Sequence, residues 1–271
     1  MVTTHTLDTL GAHLYYEVRG SGPFLVITGA PTTAVHFSPL ADALAAHYTV
    51  VTHDPRGISR STLDDPEQDS TPELRADDIV AILDDLGVDQ ADVFGSSGGG
   101  VTGFALVTHH PARVRTLVAH EPTVLNVLPD AVDRNADVDD VIEVFHQQGL
   151  EAAFVKFHAV SGMQREGEDD DAPAPPPQEP SAQDLADSAR YLAHELRGTT
   201  AYAPDLDALK SGPARVVIGV GRTSGGLLTD RIATALTERL GSRPAEFPGG
   251  HAGFLEVTEE FAEALRKVLA D

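Results

Sequence analysis

The sequence contains no cysteine among its 271 residues. This excludes disulfide bonds, a thiol nucleophile and thiolate metal sites. It also lacks an apolar run long enough to span a bilayer, and its start shows no basic segment followed by an apolar one. Basic residues are scarce, since 19 Lys and Arg stand against 42 Asp and Glu, for a formal net charge of −23. We therefore expect a soluble, cytoplasmic protein whose partners include neither nucleic acid nor a membrane surface.

Apolar residues are plentiful enough for one large packed domain, at 41% of the chain. Strand-like runs alternate with helix-like runs, which is typical of an α/β fold with a mostly parallel sheet flanked by helices. The predicted strands are 14–18, 24–28, 49–53, 92–94, 114–119, 214–220 and 245–247, and the predicted helices are 39–47, 72–86, 101–110, 227–240 and 254–269.

The alternation breaks between residues 122 and 203, where the sequence is helix-like. Within this stretch, residues 166–180 are acidic and rich in proline, a composition that cannot bury a core and predicts a mobile loop. We interpret residues 122–203 as a helical cap inserted into a core formed by residues 1–121 and 204–271.

The motif that points most directly to chemistry is GSSGG at residues 95–99, directly after the apolar stretch 91–94. It fits G-x-S-x-G with Ser97 at the centre, where a predicted strand ends and a helix begins. A serine on so sharp a turn has a strained backbone and an exposed hydroxyl, and small neighbours let the turn close. Ser96 is the rival nucleophile. An ordinary glycine-rich turn or a phosphate loop is the alternative, although a Walker loop needs a lysine here.

A serine nucleophile needs a base, which is usually a histidine. His251 lies in a glycine-rich loop, residues 248–254, between the last predicted strand and helix. Loops at the carboxyl ends of strands line the crevice of an open α/β sheet, so His251 is the candidate base. No histidine pair has metal-ligand spacing with a supporting carboxylate, and we expect no metal site. Four other histidines are expected far from the strand ends: His5, His13, His36 and His47.

The acid that orients the histidine should lie between the serine and the histidine in the chain. Its usual position is the turn after the penultimate strand, but residues 219–226 contain no carboxylate and the nearest is Asp230. Glu121 follows the strand after the nucleophile helix, and Pro122 ends that strand. We assign Glu121 as the acid that holds His251 in the required tautomer, with Asp230 as the alternative. The neighbouring His120 is interpreted as a core or capping histidine.

An acyl-transfer enzyme also needs donors for the oxyanion. The backbone N–H of Gly98 is one candidate, because it lies at the N-terminus of the nucleophile helix. The second is expected from the loop at residues 27–31, at Gly29 or Ala30.

These motifs resemble the α/β-hydrolase superfamily. Residues 54–61 (DPRGISRS) are similar to the D-x-R-G-x-G-x-S turn of that family, with a serine in place of the second glycine. Within the superfamily, the chain resembles zearalenone-type lactonases in four short patterns. These are the SSG of residues 96–98, the His-Glu pair 120–121, the SRS of 59–61 and the turn 221–226, which has no aspartate. The resemblance implies an eight-stranded type of sheet with an inserted cap, and ester or lactone hydrolysis without a cofactor.

The sequence thus predicts a serine hydrolase that cleaves a small-molecule ester or lactone through an acyl-enzyme. A thioesterase acting on a carrier-bound acyl chain is the alternative, which the acidic charge disfavours because carrier proteins are themselves acidic. A non-catalytic binding protein on the same scaffold is the third reading, and the sequence leaves a homodimer open. Four cap residues are candidates for the substrate pocket, although packing of the cap on the core would also explain them: Phe154, Phe157, Met163 and Tyr191.

Overall fold

The computed structural model describes residues 1–162 and 180–270. A central sheet has the strand order β1-β2-β4-β3-β6-β7-β8-β9, and the two-residue β5 pairs with β2 beside this path. The strands are β1 Val2–Thr9, β2 Ala12–Gly20, β3 Phe24–Thr28, β4 Thr49–His53, β5 Thr62–Leu63, β6 Ala91–Ser96, β7 Val114–His120, β8 Arg215–Gly221 and β9 Ala245–Phe247.

Helices cover both faces of the sheet. In chain order the described helices are α1 Ala34–Leu44, α2 Pro72–Asp85, α3 Gly98–His109, α4 Ala131–Gln148, α5 Leu150–Ser161, α6 Ala182–His194, α7 Leu196–Thr200, α8 Leu206–Ser211, α9 Leu228–Leu240, α10 Gly253–Glu256 and α11 Thr258–Ala270. None of them has the length and apolar character needed to cross a membrane.

The sheet is parallel from β4 to β9, and antiparallel only where β1, β2, β4 and β5 pair at one edge. This arrangement confirms the predicted α/β class with a mostly parallel sheet. The apolar core forms two clusters: one includes residues of α2, α3 and α9, and the other includes residues of α1 and α11. Parallel strands joined by helical crossovers are covered in this way on both faces.

Three predicted helices differ from the described ones by more than one residue. The helix predicted over 101–110 spans Gly98–His109. The helix predicted to begin at Pro39 begins at Ala34, whose N–H donates to Asp54 Oδ1 at 2.9 Å, and it carries the proline inside. The helix predicted over 254–269 is divided between α10 and α11 at Val257, whose φ of −131° is not helical.

Four described helices, α4–α7, lie within residues 122–203, the segment for which the sequence predicts a cap. Residues 166–179 of the predicted acidic loop lie outside the described residues, and so does Met163. The described helices of this segment contribute Phe154, Phe157 and Tyr191 to the wall of a cavity at the carboxyl edge of the sheet.

Candidate active site

The candidate site lies where four neighbouring strands end. Ser97 follows β6, Glu121 follows β7, the turn 221–227 follows β8, and His251 lies in the loop after β9. Since these strands are adjacent and parallel, their carboxyl ends meet at one edge of the sheet. Residues far apart in the chain are therefore brought together, as expected for ligand crevices of open α/β sheets.

Ser97 occupies a sharp turn between β6 and α3. Its φ of 55° and ψ of −120° lie in a region that residues other than glycine rarely adopt. The turn is held by two backbone bonds, because Ser97 N–H donates to His120 O at 2.9 Å and Ser97 O accepts from Gly100 N at 3.0 Å. This is the geometry that the G-x-S-x-G pattern predicts.

The glycines around Ser97 are required by close backbone approaches. A Cβ at Gly99 would lie 2.1 Å from Thr28 O, and one at Gly95 would lie 2.4 Å from Gly99 O. Both distances are far shorter than any van der Waals contact. The turn can therefore close against β3 only with glycine at both positions.

Glu121 is fully buried and also has a positive φ, of 46°. Its backbone N–H donates to Gly219 O at 2.9 Å, which fixes the residue against β8. Its carboxylate has two partners: Oε1 accepts the Gly221 N–H at 2.8 Å, and Oε2 lies 2.8 Å from His251 Nδ1. Glu121 therefore links the end of β8 to the imidazole of His251.

Burial alone would raise the pKa of the Glu121 carboxyl. The hydrogen bond from His251, electrostatic interaction with both His120 and His251, and the nearby Ser224 hydroxyl outweigh burial and lower this pKa to about 2. Ser224 Oγ is buried and has no partner of good hydrogen-bond geometry among the described residues, so we regard its contact with Glu121 as weak. The carboxylate is ionised at neutral pH and can hold a proton on His251 Nδ1.

His120 is enclosed by aromatic rings. It meets Phe247 edge-on at 5.3 Å and Phe261 at 5.2 Å between ring centroids. Within the described part of the chain neither ring nitrogen has a partner, and burial lowers the pKa of this histidine to about 4. His120 is therefore a neutral core side chain.

The predicted oxyanion loop lies against the nucleophile helix. A Cβ at Gly98 would come within 2.8 Å of Ala30 O, so the two segments are in direct contact. Ala30 lines the cavity beside Ser97, whereas a Cβ at Gly29 would collide with Thr32. Asp230, the alternative acid, accepts the Gly226 N–H at 2.9 Å.

The cavity above Ser97 and His251 has a volume of about 510 Å³. This lies within the range of roughly 300–1,000 Å³ that is typical of small-molecule sites. Its wall is mainly apolar. Four lining residues, from the 3₁₀ turn Leu125–Val127, α4 and α9, were not singled out by the sequence analysis: Leu125, Val138, Leu228 and Ile232.

His36 also lines the cavity, and the expectation that it lies far from the strand ends was wrong. Because α1 begins at Ala34, soon after β3 ends, His36 falls in the first turn of that helix. The helical spacing of Leu228 and Ile232 was the available signal for the α9 wall, but it could not show which face meets the cavity.

The charged residues of the cavity wall have partners within the protein. Arg134 contacts Asp137 at 2.7 Å, and Asp187 Oδ1 accepts the Ser59 N–H at 2.9 Å. Among the described residues, no group of three or more histidine, aspartate or glutamate side chains is placed to hold a metal ion.

Comparison with known proteins identifies the family. The family model described as "alpha/beta hydrolase fold" matches residues 22–166, more than half of the chain. The uncharacterized hydrolase YraK of Bacillus subtilis is 33% identical over 275 residues, which cover 99% of this chain and 96% of YraK. The chain belongs to the alpha/beta hydrolase fold family. The superfamily resemblance found in the sequence is thereby confirmed, and the protein is a hydrolase of this fold.

Two further similarities extend the comparison. Zearalenone hydrolase of Cladophialophora bantiana is 35% identical over 133 residues, covering 48% of this chain and 49% of that protein. A solved thermophilic esterase from Thermogutta terrifontis superposes with a TM-score of 0.72 and 18% identity, over 99% of this chain and 98% of the esterase. At that identity the structural likeness concerns the fold alone.

Proposed function

We propose that this protein is a serine hydrolase that cleaves a neutral carboxylic ester or lactone through an acyl-enzyme. The observation that carries the proposal is the 2.8 Å contact between Glu121 Oε2 and His251 Nδ1, at a cavity that Ser97 and His251 both line. A serine on a strained turn, a histidine and a buried carboxylate are the three groups that acyl transfer by serine requires.

In the proposed reaction Ser97 Oγ attacks the carbonyl carbon while His251 Nε2 takes its proton. The proton then passes to the leaving alkoxide oxygen, which departs as the alcohol, or stays attached as a hydroxyl when the substrate is a lactone. Water attacks the acyl-enzyme with His251 again as base, and Ser97 is released with the carboxylic acid. Glu121 fixes the tautomer of His251 and stabilises its cationic form.

The oxyanion of each tetrahedral intermediate is assigned to backbone donors. The N–H of Gly98 lies at the start of α3, where the helix dipole also favours negative charge. Gly29 or Ala30 supplies the second donor, and the contact between Gly98 and Ala30 favours Ala30. Loss of one such donor typically lowers turnover by about 100- to 1000-fold.

The form of the cavity supports a neutral substrate with a large apolar part. Phe154 and Phe157 of α5 lie on the wall, and Arg134, which also lines it, is paired with carboxylates. We assign helices α4–α7 the role of a cap that encloses this substrate. The names zearalenone hydrolase and esterase among the related proteins favour esters and lactones as the substrate class.

The proposal is tested by hydrolysis of a short p-nitrophenyl ester with folding checked by circular dichroism. Ser97→Ala is expected to lose about 10⁴-fold or more in kcat, and Glu121→Gln about 10³- to 10⁴-fold. Asp230→Asn is the matched control, because its carboxylate caps its own turn, and it should retain activity. A folded Ser97→Ala enzyme with full ester hydrolysis would rule out the serine mechanism. A large loss of hydrolysis in Asp230→Asn would indicate that Asp230, after β8, is the acid instead of Glu121.

A further inference from the structure

Helix α6 presents a polar stripe to a cavity whose wall is mainly apolar. Four of its residues line the cavity at positions i, i+3, i+4 and i+7, the spacing of one helix face. Apolar residues of α5 line the same cavity, including Phe154, Phe157 and Val160. The four polar residues are Asp184, Asp187, Ser188 and Tyr191.

The two carboxylates of this stripe already have partners. Asp184 accepts from the Ser181 N–H at 2.9 Å and hydroxyl at 2.7 Å, in the capping box that begins α6. Asp187 Oδ1 accepts from the Ser59 N–H at 2.9 Å and from Gln183 at 2.8 Å. These hydrogen bonds give both carboxylates a structural role within the protein.

The two hydroxyls are different. Tyr191 is only 9% exposed, no described residue forms a hydrogen bond with its hydroxyl, and the hydroxyl oxygen is not among the fully enclosed polar atoms. Ser188, three residues earlier on the same face, likewise has no described hydrogen-bond partner. Burial, together with the charge of Glu195, raises the pKa of Tyr191 above its ordinary value, so the phenol remains a donor.

A hydroxyl that lines a largely apolar cavity and has no partner in the described part of the protein is free to bond a ligand, because polar groups in proteins are hydrogen-bonded to protein, water or ligand. Tyr191 lines the same cavity as Ser97 and His251, so the missing partner can be supplied by the substrate. A site built to hydrogen-bond a substrate oxygen also rejects analogues that lack this oxygen.

We propose that Tyr191 and Ser188 form a subsite for a second, neutral oxygen of the substrate, a hydroxyl or a carbonyl remote from the bond that is cleaved. The inference rests on the proposed ester or lactone hydrolysis. It narrows the substrate class to apolar esters or lactones that carry one further hydrogen-bonding oxygen.

The neighbouring charges make the subsite selective for a neutral group. Asp184 and Asp187 lie on the same helix face as the hydroxyls. A carboxylate placed here would face the two aspartates, whose hydrogen-bond donors among the described residues are neutral groups of Ser59, Ser181 and Gln183. A hydroxyl or carbonyl avoids this repulsion and satisfies the two hydroxyl groups.

The test uses aliphatic esters with chains of four to ten carbons that end in a methyl group, a hydroxyl or a carboxylate. The end group is placed on the acyl side in one series and on the alcohol side in another, and hydrolysis is followed by titration of the released acid. For at least one length, we expect kcat/KM to be about three- to tenfold higher for the hydroxyl than for the methyl ester, with the carboxylate poorest.

Tyr191→Phe should bring this hydroxyl-to-methyl ratio close to one, since it removes only the phenolic oxygen. Tyr202→Phe is the matched control, because that tyrosine lies outside the cavity wall, and it should leave the ratio unchanged. The inference is overturned if no ester shows a hydroxyl preference that Tyr191→Phe abolishes. Ser97→Ala separates the two proposals. If Ser97→Ala is inactive and Tyr191→Phe leaves the hydroxyl-to-methyl ratio unchanged, only the subsite proposal is wrong. If Ser97→Ala is active, the proposed serine mechanism is wrong.

Discussion

At the scale of single residues, the site depends on backbone conformations that few sequences can adopt. Ser97 and Glu121 both have positive φ. Backbone packs closely around Gly95 and Gly99 on either side of Ser97, and Glu121 is hydrogen-bonded to the backbone of β8. Such strain is found where surrounding structure over-determines a side chain that has a task. The sharp turn at Ser97, the proposed nucleophile, could be predicted from the sequence because the glycines that permit the turn are themselves part of the motif.

The elbow makes a prediction about Gly99. Alanine favours helices over glycine by roughly 1 kcal/mol, but a Cβ here would lie 2.1 Å from Thr28 O, which belongs to backbone and cannot rotate away. We expect Gly99→Ala to lower the free energy of unfolding by about 2 kcal/mol and to reduce ester hydrolysis. Urea denaturation measures the first effect.

Gly225→Ala is the control, because a Cβ at Gly225 meets no atom within 4 Å. It should change the free energy of unfolding by no more than about 0.5 kcal/mol. Equal stability of the two variants would contradict the packing that we describe around the elbow.

At the scale of elements, α7 is fastened to α2 and α3 by a buried arginine. Arg75 of α2 donates to Thr199 Oγ1 at 2.8 Å and to Thr102 Oγ1 at 3.0 Å. Glu195, between α6 and α7, lies 3.8 Å from Arg75, and neither of its carboxylate oxygens has a hydrogen-bond partner among the described residues. Burial raises the pKa of Glu195 to about 7, against the opposing effect of Arg75.

This carboxyl predicts a pH dependence of stability. The folded protein keeps a proton on Glu195 that the unfolded chain releases above pH 4.5, so the free energy of unfolding falls between pH 4.5 and about 7 and levels off above that. Glu195→Gln cannot titrate and should remove up to about 3 kcal/mol of this change. Urea denaturation at several pH values measures the difference, and parallel curves for wild type and variant would contradict the prediction.

The secondary-structure elements differ in how well the sequence predicts them. The strands β3, β4 and β9 were predicted to the residue. For β3 and β4 this was possible because buried parallel strands appear as compact apolar runs. Strand β1 was missed, since most of its side chains are exposed at an edge and give no apolar pattern. Glu121 became the candidate acid only because the turn after β8 has no carboxylate. The face of α6 that lines the cavity and the position of His36 could not be predicted, because both depend on tertiary packing.

At the scale of the whole molecule, the net charge of −23 is the dominant electrostatic feature. Self-repulsion of a highly charged chain destabilises its compact state, and salt screens that repulsion. The free energy of unfolding should therefore rise when NaCl is increased from about 0.01 M to 0.5 M, as the screening length falls from about 30 Å to below 10 Å. Urea denaturation at the two salt concentrations checks this, and unchanged or lower stability in salt would contradict it.

The central claim is that Ser97 is the nucleophile of a serine hydrolase. Its most direct test is covalent labelling with a p-nitrophenyl alkylphosphonate, followed by mass spectrometry of the peptides. The account predicts one adduct per chain, located on Ser97, with loss of ester hydrolysis in proportion to labelling and no adduct on Ser97→Ala. An adduct on Ser96, or full activity in a protein labelled at Ser97, would contradict it.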